Sequence, residues 1–329
     1  MKRRNVLMAI GAAASGLGFL AKSSIAGKIN RGAFSQDGNQ LTFYHDQIKE
    51  PFKVLVMADT HLFRDDDRGT PFKAFSGRMA KAYNQTRHVK TGSVTNPETC
   101  FLETLAIARQ EQVAFVALLG DIFSFPSEAA IEWAEAQLKE SQLPYVYVAG
   151  NHDWHYEGME GSLELLRRSW VNNRLLRLYQ GENPLMQVRE VAGVQFVLLD
   201  NSYYEILPEQ LAFTRSALHS GKPTVLMMHI PLYAMGRKVG YGCGHPDWNA
   251  QNDRSYQLER RERWPEEGHS ATTIQFYTEV TQAPNVLATI SGHIHEPTLD
   301  LINGMPSVVT DANARGGYLK LAFAPQKKE

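Results

Sequence analysis

Five apolar runs along the chain end alike, each running straight into a polar group that can hold a ligand. They are Lys53–Ala58, Val113–Leu119, Tyr145–Val148, Thr224–Met228 and Asn285–Ser291. Short runs rich in β-branched and aromatic residues, apolar without alternation, predict strands buried on both faces. Helical periodicity appears between them. Pro97–Glu111 puts Phe101, Leu102, Leu105 and Ala108 on one face, and Ser127–Glu140 opens on a Ser127 N-cap with Glu128, Glu132 and Glu135 outward. Gly161–Trp170, Glu209–His219 and Thr272–Val280 also read as helices. Leu41–Tyr44 is strand-like, Leu185–Val191 and Val194–Leu199 predict paired strands around Gly193, and Ser307–Thr310 and Gly317–Ala322 predict strands that close a sheet. Strands alternating with helices make this an α/β chain. No internal repeat, low-complexity tract or linker divides residues 27–329, which read as a single domain.

Two stretches break the alternation. Residues 64–97 have little apolar periodicity and much charge: Asp65, Asp66, Asp67 and Arg68, then Arg78, Lys81, Arg87, His88 and Lys90. A long loop in a compact domain is usually functional or disordered. The functional reading is a rim that offers cations to a phosphate, while for any single residue a hydrated charge is the simpler account. Residues 233–270 mix Gly240, Gly242 and Gly244 with Trp248, Tyr256 and the cluster Arg260, Arg261, Arg263 and Trp264. That mixture suits a substrate-shaping lid or a surface loop with its own small packing.

The first 26 residues change the charge picture. Lys2, Arg3 and Arg4 precede a mildly apolar run, Val6–Leu20, and Ser24-Ile25-Ala26 offers small residues for cleavage. This is the pattern of a secretory signal, and its run is shorter than the roughly 20 residues a spanning helix needs. Arg3-Arg4 ahead of the apolar run resembles a twin-arginine export signal. The expected location is periplasmic or extracellular, with no membrane attachment once residues 1–26 are removed. Formal net charge is −1; without the four basic residues of the segment, 30 basic face 35 acidic residues, a net of −5. That balance suggests neither a nucleic-acid nor an anionic-membrane binder. Two cysteines, Cys100 and Cys243, are too few for a disulfide scaffold or a thiolate zinc site. One bridge after export and two buried thiols are both open.

The chemistry lies at the strand ends. The five runs deliver Asp59 and His61, Asp121, Asn151 and His152, His229, and His293 and His295; five of the eleven histidines fall there. Each group alone has a plainer reading: Asp59 as a helix cap, His155 as a surface histidine, Asp200-Asn201 after Leu199 as a turn or cap. Together they form a set of carboxylate, imidazole and amide donors suited to Mn, Fe or Zn. These groups are too many for one tetrahedral ion and fit two ions sharing a carboxylate. No phosphate-binding glycine loop, Gly-x-Ser-x-Gly elbow or dinucleotide fingerprint competes.

Asp59-x-His61, Gly120-Asp121, Gly150-Asn151-His152-Asp153, His229 and Gly292-His293-x-His295, in that order, resemble the calcineurin-like metallophosphoesterase superfamily. The resemblance spans residues 53 to 295. It implies a four-layer αββα sandwich of two mixed β-sheets flanked by helices. It implies that Asp59, His61 and His295 hold one divalent or trivalent metal ion, that Asn151, His229 and His293 hold a second, and that Asp121 bridges them. His152 would be the acid and phosphate contact, oriented by Asp153. The implied reaction is hydrolysis of a small phosphomonoester or phosphodiester by a metal-activated water. One position departs from the pattern: where many members carry a second aspartate, three residues after the bridging one, this chain has Ser124. A non-catalytic metal-binding scaffold of the same fold is the alternative, and retention of His152 with all seven ligand positions weighs against it.

Overall fold

A computed structural model describes residues 30–237 and 269–326. The targeting segment, Cys243 and most of the 233–270 insertion lie outside the described residues. Among the described residues no helix is long and apolar enough to cross a membrane.

Two six-stranded sheets carry the chain. The first is built from β1 (Ala33–Asp37), β2 (Gln40–His45), β3 (Phe52–Met57), β6 (Phe115–Leu119), β7 (Tyr145–Val148) and β14 (Leu319–Pro325), in the order β1-β2-β14-β3-β6-β7. A two-stranded hairpin, β4 (Thr86–Arg87) and β5 (Val94–Thr95), stands apart. The second sheet holds β8 (Met186–Val191), β9 (Val194–Leu199), β10 (Thr224–Met228), β11 (Val286–Ser291), β12 (Thr298–Ile302) and β13 (Met305–Val309), in the order β12-β13-β11-β10-β9-β8. Both are mixed: β3, β6 and β7 run parallel while β14 is antiparallel to β3, and β9, β10, β11 and β13 run parallel between antiparallel edges β8 and β12.

The unbroken hydrophobicity of the central strands follows from the layers. Alternate residues of β3 point to opposite faces. Val54 and Val56 pack into the space between the sheets with Phe115, Val148, Phe196 and Ile290. Leu55 and Met57 pack outward against Phe101, Leu105 and Ile131 of α3 (Pro97–Gln110) and α4 (Glu128–Ser141). On the far side, Val197, Leu226 and Met228 pack against Leu211 of α6 (Pro208–His219) and Phe276 of α7 (Ala271–Gln282). The four layers are helix, sheet, sheet and helix. Ser127 caps α4 by accepting from the Ala130 amide, and α5 (Leu163–Trp170) begins two residues after Gly161, behind a Ser162 cap.

Three features differ from the sequence expectation. Leu102 is 43% exposed, because the buried face of α3 is made by Cys100, Phe101, Thr104, Leu105 and Ala108. Residues 64–97 are not structureless: they form a 3-10 turn (Asp67–Phe72), α1 (Lys73–Ser76), α2 (Met79–Ala82) and the β4–β5 hairpin. The edge strands β1 and β12 were not anticipated, since β1 is exposed along its length and β12 is mostly half-buried. Cys100 is fully buried, its Sγ 3.3 Å from Thr95 Oγ1.

Candidate metal centre

The five strands end on one side of the molecule, at the seam between the sheets. β3, β6 and β7 of the first sheet and β10 and β11 of the second each turn sharply there, and the turns are bonded to one another. Asp59 N donates to Gly120 O (3.0 Å) and His61 N to Asp121 O (2.9 Å); Gly292 N donates to His229 O (3.0 Å). His293 N crosses between sheets to both oxygens of Asp59, at 2.9 and 3.1 Å. Asn313, fully buried, donates its amide N–H to Ala58 O and accepts from Thr60 Oγ1. These bonds hold an unusual backbone. Asp59, His61, Asp121, His293 and His295 all have φ between 49° and 76°, a left-handed conformation that costs about 1–2 kcal/mol for a residue with a Cβ. Gly120 explains how close the turns come. Its φ is 81°, and a Cβ there would lie 2.6 Å from both Gly150 N and His229 Nδ1. A Cβ on Gly150 would collide with the Asp121 carboxylate.

Two buried clusters result. Asp59, His61 and His295 form one, and Asp121, His229 and His293 the other; within each, one ligand atom per residue lies within 4.8 Å of the others. His61 Nε2 stands 3.1 Å from His295 Nε2, which is 3.3 Å from Asp59 Oδ1. In the second, His229 Nε2 stands 3.2 Å from Asp121 Oδ2. The tautomer of His229 is fixed by its other nitrogen. Nδ1 is 2.8 Å from Leu119 O, and a carbonyl only accepts, so Nδ1 carries the proton. Nε2 is thereby the nitrogen that faces the Asp121 carboxylate inside the protein, where a cation, a proton or a metal ion, must lie between the two.

The electrostatics show how strongly the site attracts positive charge. Burial pulls His229 down, yet the Asp121 charge and hydrogen bond outweigh it and raise the imidazole to about 9. Asp121, despite its burial, is held well below the usual carboxylate range by His229 and His152. Burial keeps His61 well below the usual histidine range, against the pull of Asp121, so its ring is a neutral donor. Asn151 is 4% exposed, and neither its amide oxygen nor its nitrogen has a hydrogen-bond partner among the described residues. A buried, unsatisfied amide beside carboxylates and imidazoles completes a donor set suited to a transition-metal ion. The residues present fit two ions.

The remaining expected residues surround the clusters. His152, 7% exposed, donates its backbone N–H to Asp121 Oδ1 at 2.8 Å, and its ring centre is 5.3 Å from that of His61. Asp153 is fully buried and accepts the amides of Phe123 (2.8 Å) and Gly150 (2.7 Å); burial and the nearby Asp121 charge push it up to about 8. It thus ties the backbone of the two turns that carry Asp121 and His152. Ser124 is buried and donates to His61 O at 2.9 Å, a backbone role. His155 is half-buried.

Three arginines of the cation rim expected over 64–97 are paired with carboxylates. Arg64 pairs with Glu98, Arg68 with Asp66, Glu128 and Glu132, and Arg78 with Glu157. What the insertion brings to the centre is Tyr83, whose ring lies parallel to His61 with centroids 4.1 Å apart. No sequence signal marked it. Asp200 and Asn201 were readable as a turn and do more. Asp200 pairs with buried Arg167 and accepts from Ser202, whose Oγ accepts from Trp154 Nε1. Asn201 brackets the backbone of Ile230, next to His229. The available signal was the one used for the ligands, a polar pair where a buried strand stops.

Residues 52–297 match the calcineurin-like phosphoesterase family, and the chain belongs to it. The class is thus a phosphoesterase with two candidate metal-binding groups at the seam of its sheets. Among solved structures, a dimetal phosphatase from Danio rerio is similar over 82% of this chain and 91% of its own, at 14% identity and a TM-score of 0.50. Purple acid phosphatase PPD1 from yellow lupin is similar over 84% of this chain and 46% of its own, at 14% identity and a TM-score of 0.49. Identities this low speak to the fold alone. A search of curated proteins returns no match.

Proposed function

We propose that the protein is an exported hydrolase of small phosphomonoesters or phosphodiesters that works with two ions of Mn, Fe or Zn. In this reading Asp59, His61 and His295 hold one ion, Asn151, His229 and His293 hold the other, and Asp121 bridges them. The observation that carries it is the convergence of two buried groups of ligand atoms, Asp59, His61 and His295 and then Asp121, His229 and His293, with His229 turning Nε2 to Asp121 Oδ2 across 3.2 Å while Nδ1 is committed to Leu119 O. Bound there, two ions supply positive charge where phosphoryl oxygens gather negative charge and acidify a water for attack. The chain's own part is alignment and proton transfer. His152, at the edge of the clusters and held through its backbone by Asp121, hands a proton to the leaving oxygen. Asp153 keeps that loop in register through the amides of Gly150 and Phe123. No serine or cysteine nucleophile is required, and buried Cys100 is unsuited to be one. The net charge of −5 beyond residue 26 favours a small substrate over a long polyanion.

The test is metal analysis of purified protein with aryl phosphate monoesters and diesters assayed in Mn²⁺. Two ions per chain and turnover of at least one ester class are expected; a metal-replete chain inert on both would turn the reading toward a binding scaffold. Cell fractionation checks export: the chain should appear outside the cytoplasm lacking residues 1–26, and Arg3→Lys with Arg4→Lys should retain it inside.

A further inference from the structure

The histidines of the two clusters are steadied in different ways. In the Asp121 cluster, His229 is held by a carbonyl of the core strand β6. In the Asp59 cluster, His295 turns Nε2 toward His61 and Asp59 and leaves Nδ1 facing Tyr83 Oη at 3.4 Å. For Nε2 to offer a lone pair, the proton must sit on Nδ1, and a proton there needs an acceptor. Tyr83 supplies that oxygen. Its ring also lies within 5° of parallel to His61, 4.1 Å away, and crosses His295 at 72° with centroids 5.7 Å apart. One side chain thus touches both imidazoles of one cluster. It comes from the 64–97 insertion, directly after α2, and packs against a hydrophobic cluster of Met79, Phe125 and Tyr156.

We propose that Tyr83 is a positioning residue for the ion held by Asp59, His61 and His295, so that the 64–97 insertion is part of that metal site and not of its neighbour. The proposal rests on the two-ion reading above. Tyr83→Phe keeps the stacked ring and removes the acceptor; Tyr83→Leu removes both. Partners of this kind typically change metal affinity about 10–100-fold. The full chain, stripped with chelator, is titrated with Mn²⁺ alone, and bound ions are counted by equilibrium dialysis and electron paramagnetic resonance. Wild type should take two ions. Tyr83→Phe should weaken one of them about tenfold or more, and Tyr83→Leu should weaken the same one further. His293→Ala and His295→Ala backgrounds assign the ion: the Tyr83→Phe effect should persist in the first and vanish in the second. Melting of the metal-free Tyr83→Phe chain should match wild type, which separates site geometry from loss of fold. A wild type that takes two ions and a Tyr83→Phe chain that binds both as tightly would overturn the proposal alone. A wild type that takes fewer than two would overturn the two-ion reading and this proposal with it.

Discussion

Asn201 gives the sharpest test of how the centre is held. It sits just past the end of β9, fully buried, and donates Nδ2 to Ile230 O at 2.7 Å while accepting Ile230 N at 3.0 Å on Oδ1. Ile230 is also fully buried and follows His229. Asn201→Ala leaves one backbone donor and one acceptor with neither a partner nor access to water. Each such orphan costs about 1–3 kcal/mol, so the variant should lose roughly 2–6 kcal/mol. That is a large share of the ~5–15 kcal/mol that separates folded from unfolded chains. Asn201→Asp keeps the acceptor for Ile230 N but sets a carboxylate against Ile230 O, so it should also destabilise. Urea unfolding at pH 7 on metal-stripped protein measures this without the contribution of bound ions. The same shift in Ile230 should loosen His229 and weaken Mn²⁺ binding at the Asp121 cluster. An Asn201→Ala chain within about 0.5 kcal/mol of wild type, the range of an ordinary surface change, would refute the reasoning.

Three further outcomes are expected. Asp121→Asn, which removes the charge shared by the clusters, should deplete metal from both, read by elemental analysis; a fully loaded variant would count against the bridge. His152→Ala should retain both ions while turnover of an aryl phosphate falls ~10²–10⁴-fold; unchanged turnover would remove its proton-donor role. Glu111 joins Lys53 (2.6 Å) and Lys320 (2.7 Å) at the end of α3, and hydrogen bonds from Lys320 and then Lys53 lower its carboxyl from 4.5 to about 2. A lowered carboxyl stabilises above its unfolded value and is lost as pH falls toward the folded one. Wild type should therefore shed stability between about pH 4.5 and 2 that Glu111→Gln does not, by an amount kept small by solvent screening. Equal acid slopes in urea unfolding would exclude the effect.

Much of the centre was legible because metal chemistry restricts residue type. Asp59, His61, Asp121, His229, His293 and His295 stand where buried strands stop, and few other residues do the same work there. The strands themselves were legible because both faces are covered, which leaves β3, β6 and β10 apolar without interruption. The rest depends on partners distant in sequence. Tyr83 is an ordinary tyrosine until the insertion folds it onto His61. The arginines at 64, 68 and 78 look available until Glu98, Glu132 and Glu157 meet them. Leu102 looked like core because apolar character was counted without the phase of its helix. The left-handed backbone at five ligand positions has no signature in residue type, since all five are aspartate or histidine at positions chosen for their donors.

The position of β14 has a consequence for how the molecule is made. This strand is the last among the described residues but lies in the interior of the first sheet, parallel to β2 on one side and antiparallel to β3 on the other. Until residues 319–325 have been made, β1-β2 and β3-β6-β7 are separate ribbons with exposed edges, and no strand pairing among the described residues joins them. Assembly of that layer therefore waits on residues 319–325. A nascent chain halted upstream presents two bare strand borders, which are open to pairing with the wrong neighbour.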